Sequence, residues 1–251
     1  MKAIGAGGIA VAALWALSLT GCATDAGVDK PQAAAANANV GAEYLRKNDN
    51  ERAAQAFQRA LHYESDDFTA NWGMAVVSDR RNAPADARRY FEKALAARQS
   101  PAVYNSFAAF LCKHGDTQAG LANFQKALSA PNVTDRADTL ANAGLCLARA
   151  DQTARAADYF EQALAIDARQ PTALTQLADI AYHAQDYMKA RAYIERADSA
   201  TTLDAEQLRL AADIESAMND RAAAESYLKR YHNANQPAAS SSPGQREPSR
   251  Q

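Results

Sequence analysis

The sequence has little of what active sites are built from. Its four histidines, His62, His114, His183 and His232, stand singly, and no His-Glu-x-x-His or close Cys/His set occurs. The glycines of Gly5-Ala6-Gly7-Gly8 fall in the leader described below, so they form no phosphate loop in a folded chain. Without a nucleophile beside a base, a metal cluster or such a loop, no enzyme, cofactor or metal is expected. An excess of positive charge is also missing: 27 Lys and Arg face 29 Asp and Glu, for a net charge of −2. Nucleic acid and anionic lipid surfaces select clustered positive charge, so neither is expected as the main partner. No segment of useful length alternates with the period of a strand, which leaves an all-α chain.

The N-terminus carries a different kind of signal. Lys2 precedes an apolar or small-residue run from Ala3 to Thr20 with no charge, the form of an export leader. The run ends in Leu19-Thr20-Gly21-Cys22, the pattern of a bacterial lipobox. Residues 1–21 are therefore expected to be removed and Cys22 to be lipidated, with several acyl chains giving a stable anchor where one alone is marginal. A secretory leader cut elsewhere, or an uncleaved membrane helix, are the competing readings. Ala23 rather than Asp after the cysteine points to the outer membrane rather than the inner, on its periplasmic side. Loss of the leader removes one lysine and no acid, so the net charge becomes −3. Residues 22–36 read as a tether and residues 233–251 as a disordered tail, since neither flank has the large apolar groups needed to offset the entropy of ordering.

Between the flanks the sequence repeats itself. A small residue is followed four places later by a large apolar one and, in most copies, by an Ala three further on. The copies are Ala53/Phe57/Ala60, Ala87/Phe91/Ala94, Gly120/Phe124/Ala127, Ala156/Phe160/Ala163, Ala190/Ile194/Ala197 and Ala224/Leu228/Tyr231. Twelve residues before each first member stands another small residue: Gly41, Ala75, Ala108, Gly144, Ala178 and Ala212. Two helices that cross closely need a small side chain on each side of the contact. Just before these positions come the apolar packers Val40, Met74, Phe107, Ala143, Leu177 and Ala211, and turn-forming residues such as Asn48-Asp49 and His114-Gly115-Asp116 separate the two halves of each copy. A period near 34 residues with this signature is that of the tetratricopeptide repeat, a pair of antiparallel helices. The expected fold is a right-handed solenoid of six helix-turn-helix repeats over residues 34–232, with a degenerate last copy in which Glu215 and Tyr231 replace an apolar residue and an Ala.

The segments Tyr104-Asn105-Ser106-Phe107-Ala108-Ala109-Phe110-Leu111-Cys112 and Ala141-Asn142-Ala143-Gly144-Leu145-Cys146 resemble the third and fourth repeats of the PilF/PilW family of type IV pilus biogenesis lipoproteins. With the lipobox and six repeats, the resemblance covers residues 40 to about 230. It implies an outer-membrane pilotin that binds the secretin subunit of the pilus machine and helps it form its multimer. Ala109 where a Gly is common, the unusual Val77-Ser78-Asp79-Arg80-Arg81 and the Ser/Pro tail depart from the pattern. A general periplasmic scaffold that docks cell-envelope enzymes is the alternative. For Cys112 and Cys146, on helices A of successive repeats, a disulfide and a pair of small core residues both fit; an oxidising compartment and the family resemblance favour the disulfide.

Partner binding is expected on the face made by helices A. One position there holds Arg46, Arg80, Lys113 and Arg149 in four consecutive repeats, then His183, a basic ladder on an acidic protein that an acidic segment could follow. Near a helix C-terminus the same cations also complement the helix dipole, so a structural reading stands beside the functional one. Trp72, Asn105 and Tyr182 are the further groove candidates, against a reading of core packing.

Overall fold

The computed structural model of the protein describes residues 29–131 and 133–235. The leader, Cys22, residues 22–28 of the expected tether and residues 236–251 of the expected tail lie outside the described residues. Twelve helices follow in order among the described residues: α1 (Lys30–Arg46), α2 (Asn50–Tyr63), α3 (Phe68–Arg80), α4 (Pro84–Ala97), α5 (Pro101–Lys113), α6 (Thr117–Ser129), α7 (Arg136–Arg149), α8 (Thr153–Ile166), α9 (Pro171–His183), α10 (Tyr187–Ala200), α11 (Ala205–Ala217) and α12 (Arg221–Asn235). Each odd-numbered helix pairs with the next to make six hairpins, and α1/α3, α5/α7, α7/α9 and α9/α11 also pack together. Helices A, the odd set, form one wall of the solenoid and helices B the other.

The six hairpin turns share one geometry. A residue with positive φ ends each helix A: Asn48, Asn82, Gly115, Asp151, Gln185 and Asn219. The amide of the following residue then donates to a carbonyl five residues back, as from Asp49 to Tyr44 at 3.0 Å and from Asp186 to Ala181 at 2.9 Å. This closes the helix C-terminus in the Schellman manner, and Asn, Asp and Gly are the residues that tolerate the left-handed conformation best. That next residue is also the N-cap of helix B. In four hairpins it is an Asp, and Asp49, Asp116, Asp186 and Asp220 each accept a bond from the amide three residues on.

The large apolar member of each of the first five copies is buried between its own helix A and the next one. Phe57, Phe91, Phe124, Phe160 and Ile194 are all fully buried. Small residues make room for them: a Cβ at Gly144 would stand 2.5 Å from the Phe160 ring, and one at Gly73 would overlap Phe57. Gly120 serves a different neighbour, since a Cβ there would overlap Sγ of Cys112.

The two ends of the solenoid depart from expectation for one physical reason. Met74 and Phe107 pack against helix B of the preceding repeat, beside Phe57 and Phe91 respectively. Val40 has no preceding repeat among the described residues and is 45% exposed, so it is not the packer its phase suggested. The expected tether and first repeat boundary are also corrected. Asp29 caps α1 by accepting from the Gln32 amide, Pro31 lies in the first turn, and residues 30–36 are helical. At the other end α12 runs to Asn235, three residues into the expected tail. Leu228 is only half-buried, since no seventh helix A covers it among the described residues.

Glu215 is not a decayed apolar position. Its carboxylate is fully buried and accepts bonds from Nε of Arg191, at 3.0 Å, and from Nη2; Arg191 also reaches Asp220 at 3.1 Å. A lone buried carboxylate would be strongly unfavourable, whereas this one is held by a bidentate guanidinium from helix B of the fifth repeat.

Candidate functional site

Helices A bring the expected ladder to one edge, at the hairpin turns, but its cations are not free charges lining a groove. Arg46 pairs with Glu43 one turn back. Arg80 reaches across to the first hairpin turn, donating to the Leu45 carbonyl at 3.3 Å and to Oδ1 of Asn48 and Asn50 at 3.2 and 3.0 Å. Lys113 Nζ lies 3.0 Å from both carboxylate oxygens of Asp79 in the preceding repeat, and His114 Nε2 is 3.0 Å from the same group. His183 pairs with Asp179 on its own helix. Of the ladder, Arg149 alone has neither an ion pair nor a side-chain hydrogen bond among the described residues, and it is exposed.

Two rungs of the ladder, Arg80 and Lys113, therefore tie the second repeat to the first and the third to the second, and the segment Val77-Ser78-Asp79-Arg80-Arg81 is the centre of that tie. Arg80 and Arg81 hold the first hairpin turn, the latter through the Asn50 carbonyl, while Asp79 receives the third repeat. Asp79 carried no signal by itself in the sequence; the pairing needed the knowledge that its position and that of Lys113 face each other across one repeat.

Trp72 and Asn105 do come together. They line a groove of about 430 Å³ between α3 and α5, closed at one end by Val133, Thr134, Asp135 and Thr139 at the start of α7. Among consecutive helices A, α3 and α5 pack least closely, which leaves this groove open. Phe68 lies beside the indole, its ring centroid 6.0 Å from that of Trp72, and carries the Arg98 guanidinium 3.6 Å over its own ring. Asn142 of the next repeat donates to Asn105 Oδ1 at 3.2 Å. This asparagine was visible in the sequence as part of the Asn-x-Gly-Leu-Cys segment, yet its place at the site is set by the three-dimensional stacking of α5 on α7.

Tyr182, the other groove candidate, is elsewhere. It packs on the core of the last two repeats, with its ring centroid 5.8 Å from that of Tyr187.

Two turns further along α5 the chain is locked. Cys112 and Cys146 form a disulfide between α5 and α7, with Cα atoms 5.3 Å apart, among the buried side chains Ala108, Phe124 and Ala143. The long connection between α6 and α7 makes this the one place where the repeat spacing grows to 36 residues, and the disulfide bridges it.

A second polar cluster closes the C-terminal end. Arg230 donates to Asp198 Oδ2 at 2.7 Å, and Tyr227 lies 3.5 Å from the same oxygen. The bond from Arg230 holds the Asp198 carboxyl below the ordinary carboxylate range, while burial raises the Tyr227 hydroxyl above its ordinary value. Among the described residues no group of His, Cys, Asp and Glu could hold a metal ion, and no helix is long and apolar enough to cross a membrane.

Six hairpins in phase, small residues at each crossing and a groove on the helix A wall define a tetratricopeptide-repeat solenoid, and a tetratricopeptide-repeat family model matches residues 41–102. The type IV pilus assembly protein PilF of Pseudomonas aeruginosa is 29% identical over 233 residues, covering 87% of this chain and 91% of that protein. An uncharacterized protein of Haemophilus influenzae is 26% identical over 133 residues, 53% of this chain and 72% of its own. The crystal structure of PilW, described as a widely conserved type IV pilus biogenesis factor, superposes with a TM-score of 0.72 at 25% identity, over 83% of this chain and 96% of that one. The chain is a PilF/PilW-like tetratricopeptide-repeat protein.

Proposed function

We infer that this protein is a type IV pilus assembly factor: a lipoprotein held to the outer membrane through Cys22, facing the periplasm, that binds the pilus secretin and assists its multimerisation. One observation carries the reading. Similarity to PilF runs through 87% of this chain and 91% of the relative, so it spans the whole array of repeats and not a single hairpin that any adaptor could share. The architecture suits the role. A solenoid offers a long side-chain surface on helices A with no chemistry to perform, and its stability is distributed over neighbouring interfaces. Binding, not catalysis, is the task such a surface can do. The lipobox supplies the address, because acyl chains on Cys22 would hold the rod at the membrane where the secretin must assemble.

The test uses a strain lacking the gene. Wild-type protein is expected to restore heat-resistant secretin multimers on unheated gels and surface pili. Cys22→Ala is expected to leave the helical content intact, to lose palmitate labelling and membrane retention, and to mislocalise the multimer. Normal secretin multimers at the outer membrane in the uncomplemented strain would refute the function. Membrane retention of unlabelled Cys22→Ala would refute the anchor alone.

A further inference from the structure

Helices B carry a second series of cations, with one gap. Six residues after each small anchor stand Arg59, Lys93, Lys126, Gln162, Arg196 and Arg230, so the fourth copy alone is neutral. Four of the cations are engaged within the rod: Arg59 donates to Asn37 Oδ1 at 3.0 Å, Lys126 lies 5.5 Å from the centroid of the Tyr104 ring, Arg196 donates to the Ala168 carbonyl at 2.9 Å, and Arg230 holds Asp198. Where Gln162 interrupts the series, a groove of about 440 Å³ opens between α6 and α8. Phe124 and Leu140 form its buried floor, and Leu128, Tyr159 and Ile166 its sides. Ile166 is 52% exposed; among the described residues the only other exposed large apolar side chains are Val40 and Met188, in other repeats. Apolar groups gathered in an open groove mark a contact surface.

The charges around this groove are placed so that the face complements itself. Arg136 is the only charged side chain that lines it; its Nη1 donates to the Leu128 carbonyl at 2.9 Å, and no carboxylate pairs with it among the described residues. Asp158, Gln162 and Ile166 follow at i, i+4 and i+8, and so lie along one stripe of α8, of which Gln162 and Ile166 line the groove. Asp158 is exposed, and its side chain has neither an ion pair nor a hydrogen bond among the described residues. Because α7 and α8 form a hairpin, Arg136, the first residue of α7, stands at the Ile166 end of the stripe, and Asp158 lies about 12 Å away along the helix axis. A two-fold rotation about Gln162 exchanges the two ends, bringing carboxylate to cation and apolar group to apolar groove. The same axis accounts for the gap in the series. A residue on the axis faces its own image, where a cation is repelled and a carboxamide, donor and acceptor at once, can pair with itself.

We propose that the helix B wall at α6 and α8 binds a second copy of this chain across a two-fold axis at Gln162. The two α8 helices run antiparallel, Asp158 of each copy stands opposite Arg136 of the other, and Ile166 of each packs over the Tyr159 ring of the other. Both helix A walls then face outward, so this pairing goes beyond the pilus assembly reading and does not depend on it.

Sedimentation velocity of the full chain, in detergent matched to the buffer in density, measures the association. The wild type is expected to be a dimer. Ile166→Lys, at an exposed position where the helix C-terminus favours a cation, is expected to give monomers with an unchanged thermal melt. Gln162→Lys, which restores the cation that the other five copies carry, is expected to do the same. Arg136→Asp and Asp158→Arg are each expected to weaken dimerisation about tenfold or more, because either change sets like charges opposite one another on both sides of the axis. An equimolar mixture of these two variants, or both substitutions in one chain, is expected to recover the wild-type affinity. A monomeric wild type overturns the proposal. So does a dimer that survives Ile166→Lys and Gln162→Lys, or a mixture of the two charge variants that associates no better than either alone.

Discussion

Between the second and third repeats the helices α3 and α5 stand apart: Lys113 and His114 of α5 reach Asp79 of α3, while Phe91 of α4 packs in one buried cluster with Ala75, Phe107 and Phe110. Between the third and fourth repeats the inner helices are covalently joined, and the bond lies in a buried cluster with Phe124 and Ala143. One junction is therefore a cleft held by non-covalent contacts alone and the other a wall fixed by a covalent bond. A partner segment entering the cleft meets Trp72 on the loose side and the Asn105/Asn142 pair on the rigid side. The difference teaches how a repeat protein, uniform in its helices, can make one of its junctions special: it opens one contact and locks the next.

The largest expected effect comes from removing the lock. Replacing Cys112 and Cys146 by Ala is predicted to lower stability by about 3–4 kcal/mol on the chain-entropy model for a loop of this length. Chemical denaturation of the double variant against the oxidised protein measures it, and a loss well under 1 kcal/mol would mean that the fixed wall owes nothing to the bond. Gly120→Ala sharpens the same point, because its Cβ overlaps the Cys112 sulfur and overpacking of this kind costs about 1–3 kcal/mol. The cost is predicted to shrink in the cysteine-free background, where Ala suits the position as it does in the five other repeats. Equal costs in both backgrounds would place the clash elsewhere.

The loose junction should respond far less. Asp79→Ala releases Lys113 and His114, but exposed pairs contribute only about 0.2–1 kcal/mol, and added salt should erase much of the difference. A loss above about 2 kcal/mol would show that the cleft is not loosely held.

Acid provides the smallest effect and a control at a third place. Asp198 titrates lower in the folded protein than in the unfolded chain, so its bond to Arg230 stabilises above the ordinary carboxylate value and is lost as pH falls through the lowered one. Between about pH 4 and pH 2 the wild type should therefore lose more of its melting temperature than Asp198→Asn does, with the change confined to α10 and α12. Identical acid profiles would remove this contribution.

The repeat phase was legible because close helix crossings demand small residues whatever the function. Gly41, Ala75, Ala108, Gly144, Ala178 and Ala212 could be placed by counting, and so could the turns, where Asn48, Asn82 and Asn219 meet a left-handed backbone. The N-terminal limit is also marked in the sequence, since Asp29-Lys30-Pro31 is a capping residue with proline in the first turn. What counting could not reach were relations between repeats at the surface. Arg46, Arg80 and Lys113 share a phase, yet whether they face a partner or one another depends on where Asp79 and Asn50 stand, and those residues obey no repeat. Glu215 looked like erosion until its partner Arg191, 24 residues away on another helix, was in place. Exposure at Val40 followed from the absence of a preceding hairpin and not from Val40 itself.

The claim that the helix A wall receives the partner, at the junction of the second, third and fourth repeats, is tested most directly by amide hydrogen exchange of the full chain with and without the soluble portion of the secretin. Protection is predicted in α3, in α5 and in the first turns of α7, with α4, α6 and α8 unchanged. Protection concentrated in α4, α6 and α8, with α3 and α5 exchanging as in the free protein, would contradict it.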